Sequence, residues 1–151
     1  MCLVIDNEKH VRRKGFFKYE CKPIKITEPI TVYKILVHHV DGRFFTPYRH
    51  ADVPFSDGRC KMLRHFTNEE FAEVGMVKKT LLGKIRAFKA GDGFHAFRLL
   101  EYALDEAAQW HNSNLEVHVH KAIIPIGAYV YYGYGGDICA SDMTIFEASL
   151  N

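Results

Sequence analysis

The clearest helical pattern in the chain lies between two groups of strand-like segments, and this order limits the folds that the chain can adopt. Within residues 93–110, the apolar side chains of Phe97, Leu100, Leu104 and Ala107 recur at helical spacing. Strands followed by a helix and then by further strands are typical of an α+β fold. The sequence therefore predicts a mostly antiparallel sheet packed by one main helix at about residues 96–111.

Turn signals place two further elements. Asp41-Gly42 follows the β-branched segment 30–40 and precedes RFFTPY, and an Asp-Gly pair between strand-like segments predicts a β-hairpin. Thr67 and Glu70 have the spacing of a capping box, which predicts a short helix at about residues 68–74. Residues 115–124 and 143–148 read as strands after the main helix.

Length and composition indicate one soluble domain. The chain has 151 residues, of which 48% are hydrophobic and 25% are charged, as in ordinary globular domains. We see no linker and no apolar run of transmembrane length, so we expect a single α+β domain over residues 1–151, without membrane contact and in the cytoplasm. The four cysteines form no C-x-x-C pair and are interpreted as free thiols.

Charge is distributed unevenly along the chain. Residues 1–89 contain 18 Lys and Arg but 10 Asp and Glu, whereas residues 90–151 contain 2 and 8. This asymmetry suggests nucleic-acid binding, contact with a protein partner, self-association through opposite charges, or a basic half packed beside an acidic half. The basic side chains nearest the N-terminus alternate with aromatic rings, as in single-strand binders, and are candidates for an anion surface: Arg12, Arg13, Lys14 and Lys18.

Two histidines stand one residue apart in the strand-like segment 115–120. In a strand, residues i and i+2 share one face, so His118 and His120 lie side by side on the face that we expect to be exposed. Imidazoles bind Zn²⁺, but a zinc site needs three or four ligands. The remaining ligands would come from other histidines, of which four are candidates: His38, His39, His95 and His111.

The H-x-H pair resembles the metal sites of cupins. Those sites add a glutamate a few residues later, where this chain has Ala122, Ile123 and Ile124. The sequence therefore favours an exposed histidine row without a metal, and it leaves His118 and His120 as the candidate ligands.

Glycine and tyrosine clusters provide the candidate ligand-binding residues. His95 follows Gly91-Asp92-Gly93 at the expected entrance to the main helix, where free N–H groups attract anions. Tyr131 and Tyr132 belong to a tyrosine-rich strand that could line a groove, although tyrosines also serve to cover sheets.

The order of several short motifs resembles a family of short, uncharacterised phage and bacterial proteins. The motifs are VYKIL at 32–36, TPYR at 46–49, GFHAF at 93–97, IIPIGAYVYYG at 123–133 and ASD at 140–142. The family has no established activity, so the resemblance implies a phage-associated accessory protein, located in the host cytoplasm, and no catalytic residues.

A second resemblance is to the ADP-ribosyltransferase core. It depends on a strand with Tyr33 and Lys34, and on a Gly-x-x-x-Phe segment that precedes an Ala-rich helix. It implies an NAD-binding cleft containing Tyr33, Lys34, His95 and a carboxylate. Lys34 stands where that fold uses Arg or His, and Glu147 is the only late glutamate.

The sequence thus favours a non-catalytic binding protein without a cofactor. An ADP-ribosyltransferase-like enzyme and a nucleic-acid-binding protein that uses the basic N-terminal half are the alternatives. The ligand-binding candidates are Tyr33, Lys34, His95, Tyr131 and Tyr132.

Overall fold

The computed structural model describes residues 3–16, 18–61, 66–67, 71, 75–79, 86–111 and 115–151. Its helices are α1 (Asn7–His10), α2 (Leu100–His111) and a 3-10 turn (Tyr134–Gly136). Its strands are β1 (Leu3–Val4), β2 (Val11–Gly15), β3 (Lys18–Cys21), β4 (Ile24–Lys25), β5 (Ile30–His38), β6 (Phe44–Phe45), β7 (Arg59–Lys61), β8 (Gly75–Lys79), β9 (Arg86–Ala90), β10 (Phe94–Phe97), β11 (Val117–Ile124), β12 (Tyr129–Tyr132), β13 (Asp137–Ala140) and β14 (Thr144–Ser149).

A nine-stranded antiparallel sheet organises the domain. Its strands follow the order β4-β12-β13-β10-β5-β11-β14-β7, with β6 paired to β5. Smaller sheets are formed by β1, β9 and β8 and by β2 and β3. The predicted α+β class, with a mostly antiparallel sheet, one main helix and a short helix, is confirmed.

The two longest strands, β5 and β11, form the centre of the large sheet and are covered on both faces. Helix α2 packs on one face, where Ala103 and Ala107 contact Ile35 and Val119 among other apolar residues. The opposite face carries a larger apolar cluster that includes Leu36. Small alanines on α2 allow the helix to approach the sheet closely, and β-branched residues supply the strand side of the interface.

The predicted hairpin at Asp41-Gly42 is confirmed. β5 and β6 pair through Val37 with Phe45 and through His38 with Phe44. Gly42 has a φ of +85°, a conformation that glycine adopts without steric cost.

The main helix is confirmed, but it begins at Leu100 rather than near residue 96. Residues 94–97 form β10 instead, and their side chains alternate between buried and half-buried. The apolar spacing around Phe97 fits a helix and a strand equally over four residues. The segment forms a strand because it pairs with β13 and β5. His95 therefore lies on a strand rather than at a helix entrance.

The expectation of an exposed histidine row is wrong for His120, which is 0% exposed, while His118 is half-buried. The rings of His38, Phe44 and Phe55 pack against His120, so this part of the polar face of β11 is covered as well. Of the short helix predicted at 68–74, only Phe71 is described; it is helical and buried. The rest of that segment lies outside the described residues.

The basic and acidic parts of the chain are interleaved in space. β5, from the basic part, lies between β10 and β11, which belong to the acidic part. Arg49 forms an ion pair with Asp92 at 3.2 Å across the same division. The charge asymmetry along the sequence is thus distributed through one fold. Within the described residues, no helix is both long enough and apolar enough to span a bilayer.

Candidate functional site

A pocket opens where the ladder between β5 and β10 ends. The two strands have one registered pair, Tyr33 with Phe97. Beyond that pair the side chain of Lys34 bridges the strands, since its Nζ donates a hydrogen bond to the backbone oxygen of His95 at 2.6 Å. The lysine side chain thus links the two strands beyond their registered pair, and Lys34 lines the pocket.

Lys34 is unusually buried for a lysine, with 7% of its surface exposed. Burial lowers its pKa to about 8, since the charged form loses hydration. No carboxylate among the described residues forms an ion pair with it. An ammonium group has three donors, and the His95 oxygen is the one acceptor that Lys34 has among the described residues. The group can therefore bind a further acceptor.

The walls of the pocket are largely apolar and include the aromatic rings of Tyr48, Phe97 and Trp110. The rings of Tyr48 and Trp110 meet edge to face with centroids 5.0 Å apart. The cavity volume is about 40 Å³, and the wider empty space of about 480 Å³ includes open solvent at the mouth. The lining residues are Leu3, Lys34, Ile35, Pro47, Tyr48, His95, Ala96, Phe97, Glu106, Trp110 and Asp137.

Two carboxyl groups complete the lining. Glu106 and Trp110 stand four residues apart on α2 and so share one helix face. The hydroxyl of Tyr48 donates to Glu106 Oε1 at 3.5 Å. Asp137 begins β13, and burial, with a contribution from the charge of Glu106, raises its pKa. The pocket therefore combines one cation, aromatic walls and two carboxyl groups.

The ring of His95 points toward a buried thiol. Its Nε2 lies 3.8 Å from Cys139 Sγ and 3.5 Å from the backbone oxygen of Gly91. Burial, followed by the nearby charge of Lys34, lowers the pKa of His95 to about 4, so the imidazole is neutral at physiological pH. Cys139 is 0% exposed and is not among the residues that line the pocket, which argues against its use as a nucleophile there.

The structure brings together two of the five predicted ligand-binding residues, Lys34 and His95. Tyr33 packs beside the cluster under α2. Tyr131 is fully buried, and its hydroxyl has no partner among the described residues. Tyr132 stacks on His10, with ring centroids 5.9 Å apart. None of these three tyrosines is among the lining residues.

Sequence reasoning missed the aromatic and acidic walls. A signal existed for Glu106, because this carboxylate borders the buried residues Ala103 and Ala107 and precedes Trp110 by one turn. Asp137 and Tyr48 are distant in sequence and carry no comparable signal.

The basic N-terminal residues lie on the β2–β3 hairpin. Arg12, Arg13 and Lys14 are exposed, and Lys18 begins β3. Lys14 forms an ion pair at 2.8 Å with Glu20, which also pairs with Lys22 at 2.9 Å. Part of the hairpin's charge is thus neutralised locally.

No family model, no curated protein and no solved structure matches the chain. Function has to be inferred from the chemistry of the site itself.

Proposed function

We propose that the protein is a non-catalytic binding protein whose pocket takes a small, flat, polar molecule: a heteroaromatic ring with a carbonyl acceptor and N–H donors, as in a nucleobase or an aromatic amide. The observation that carries this proposal is the buried ammonium group of Lys34, which hydrogen-bonds a backbone oxygen and lines an aromatic pocket that also contains carboxyl groups.

The polar groups of the pocket argue against two classes of ligand, purely apolar molecules and simple anions. A purely apolar ligand would displace water from Lys34 and leave its remaining donors unsatisfied, which costs binding free energy. A simple anion would pair with Lys34 but would be repelled by Glu106. A molecule that offers an acceptor to Lys34 and N–H donors to Glu106 and Asp137 satisfies both sides.

The aromatic walls favour a ring. Edge-to-face rings such as Tyr48 and Trp110 present flat apolar surfaces against which a planar heterocycle can pack. The shape and the polar groups of the pocket therefore favour the same class of ligand.

The proposal can be tested with a ligand panel by differential scanning fluorimetry and calorimetry. The panel contains adenine, guanine, uracil, their nucleosides, nicotinamide and NAD, with indole and benzoate as an apolar and an anionic control. We expect saturable stabilisation by one heteroaromatic class and none by the controls. Lys34→Met and Glu106→Gln should each weaken binding at least roughly tenfold, because a buried polar contact is lost.

Glu101→Gln is the matched control, since Glu101 lies on the same helix, is exposed and does not line the pocket. It should bind like the wild type. Binding that survives Lys34→Met unchanged, or stabilisation by none of the heterocycles, contradicts the proposal.

An ADP-ribosyltransferase-like enzyme is the second candidate. One observation favours it: Lys34, His95 and carboxyl groups share a pocket, and nicotinamide is a heteroaromatic amide. Against it, Glu147 is exposed on β14 and is not among the lining residues. Release of nicotinamide from NAD by the wild type, abolished in Glu106→Gln, would favour the enzyme. NAD that stays intact when bound would favour the binding protein.

A further inference from the structure

A second group of chemically active side chains lies at the end of β5, away from the pocket lining. This histidine cluster consists of His38, His118 and His120, with Glu116 at its edge. The backbone N–H of His38 donates a hydrogen bond of 2.8 Å to the backbone oxygen of Glu116. His118 and His120 are two residues apart and share one face of β11, and Glu116, just before the strand, contacts His118.

The ligand atoms of the cluster converge. His38 Nε2 lies 2.9 Å from His120 Nε2, and Glu116 Oε1 lies 3.3 Å from His118 Nε2. The rings of His38 and His118 stack with centroids 4.1 Å apart. His38, Glu116 and His118 each offer one ligand atom, and these three atoms all lie within 4.8 Å of one another.

Hydrogen bonds behind the rings fix their tautomers. Nδ1 of His120 lies 3.0 Å from the backbone oxygen of Phe146, and Nδ1 of His118 lies 3.0 Å from that of Asn151. A ring nitrogen that faces a backbone oxygen has to carry the proton. Both Nε2 atoms then face into the cluster, that of His120 toward His38 Nε2 and that of His118 toward Glu116 Oε1, and each can bind a metal ion once it carries no proton.

We propose that His38, His118 and the Glu116 carboxylate, whose ligand atoms lie within 4.8 Å of one another, bind a divalent first-row transition metal ion, and that His120, which contacts His38, completes the site through its Nε2 atom. Tetrahedral Zn²⁺ with bonds of about 2.0–2.1 Å places its ligand atoms roughly 3.3–3.4 Å apart. The distances from His38 to His120 and from His118 to Glu116 lie within a few tenths of an ångström of this spacing, whereas His120 lies outside the group of mutually close ligand atoms and has to move toward the ion. Three imidazoles and one carboxylate suit Zn²⁺ and its neighbours, whereas Ca²⁺ and Mg²⁺ prefer all-oxygen sites.

The surroundings of the cluster are rigid on one side and open on the other. His120 is 0% exposed, and Phe44 packs edge-on against it with centroids 5.7 Å apart. Phe44 also contacts His38 edge-on at 4.4 Å. The Glu116 side chain, by contrast, is 63% exposed. An ion would therefore enter past Glu116 and join β5, β11 and the segment after β14.

The experiment titrates the full-length, chelator-treated protein with Zn²⁺ alone, followed by calorimetry and by thermal unfolding. We expect one Zn²⁺ per chain and a raised melting temperature that chelator reverses. His118→Asn should weaken binding by at least roughly 100-fold, since even the outer partners of such ligands contribute 10–100-fold. Glu116→Gln, at an exposed position that can be changed without disturbing the fold, should weaken it less.

His39→Asn is the matched control, because His39 is the adjacent residue, is exposed and packs against Phe45 at 4.8 Å. It should bind Zn²⁺ like the wild type. NMR of the imidazole nitrogens should show that Zn²⁺ shifts the three Nε2 signals, while the Nδ1–H groups of His118 and His120 stay protonated. The proposal is overturned if micromolar Zn²⁺ gives no saturable binding, or if His118→Asn and His39→Asn bind equally.

Discussion

Lys34 Nζ donates a hydrogen bond of 2.6 Å to the backbone oxygen of His95, across the point where β5 and β10 stop pairing. The contact gives the His95 carbonyl group a hydrogen-bond donor, but it also holds a lysine at 7% exposure. An apolar residue could fill the same space without the cost of burying a charge. Lys34 therefore lowers the free energy of unfolding, as we expect of a residue that serves the proposed binding function.

Lys34→Met should raise the free energy of unfolding at pH 7, although we expect it to weaken binding of the proposed ligand. Burial lowers the pKa of Lys34 to about 8, so the protonated form is on the order of 3 kcal/mol less favourable in the folded chain than in the unfolded one. Loss of the hydrogen bond to His95 offsets part of that gain. We expect a net increase of about 1–2 kcal/mol, measured by urea unfolding; a net loss of stability would contradict this expectation.

The same substitution should change how stability depends on alkaline pH. From pH 8 to 10.5, the unfolded chain binds more protons at Lys34 than the folded chain, so the stability of the wild type rises with pH in that window. The advantage of Lys34→Met should shrink accordingly. Lys25→Met, at an exposed position on β4, is the control. A stability difference that stays constant across the window would argue against a buried charge.

His10 should make the fold sensitive to acid. Its ring is buried, with Nδ1 2.8 Å from the Lys22 backbone oxygen and Nε2 accepting from the Tyr132 N–H at 2.8 Å. This arrangement needs the neutral ring, because protonation would set two N–H donors against each other. Burial lowers the pKa of His10, and the hydrogen bond to Lys22 opposes that effect.

The contribution of His10 is present above pH 6.5 and is lost as the pH falls through its lower folded-state pKa. His10→Gln should cost about 1–3 kcal/mol at pH 7 and should weaken the acid dependence below pH 6.5. Chemical unfolding at several pH values measures both effects. His39→Gln, at an exposed site, should retain the wild-type profile; equal profiles for all three proteins would exclude this role.

The fold was more predictable than the site because its signals are local. The Asp41-Gly42 turn and the apolar stripe of α2 are each contained in a few consecutive residues. The start of α2 was misplaced because Phe94–Phe97 is too short to distinguish helix from strand without knowing its partners, β13 and β5.

Burial and convergence depend on residues far apart in sequence. Alternation along β11 predicts a polar face, but it does not show that Phe44 covers His120. Lys34 is similar: the sequence marks it as a candidate, whereas Glu106 and Asp137, which line the same pocket, reach it through the packing of α2 and β13.

Tyr131→Phe should stabilise the protein. The hydroxyl of Tyr131 is fully buried and has no hydrogen-bond partner within the described residues, so removing it relieves a desolvation cost of about 1 kcal/mol. Tyr134→Phe is the contrasting variant, because the hydroxyl of Tyr134 accepts from the Asn7 N–H at 2.9 Å. Urea unfolding should give a gain for the first substitution and a small loss for the second. A loss for Tyr131→Phe would indicate an additional polar contact.

Gly93→Ala should destabilise the turn that leads into β10. Gly93 has a φ of +127°, and an added Cβ would collide with Cys139 Sγ and lie 2.9 Å from Phe71 Cε2. Backbone strain and overpacking together should cost about 2–4 kcal/mol. Gly135→Ala is the matched control: its φ is +74°, but a Cβ there meets nothing within 4 Å, so strain alone should cost about 1 kcal/mol. Thermal unfolding of both variants separates the two effects. Equal losses of stability would mean that Cys139 and Phe71 move away from the added Cβ at no cost in free energy.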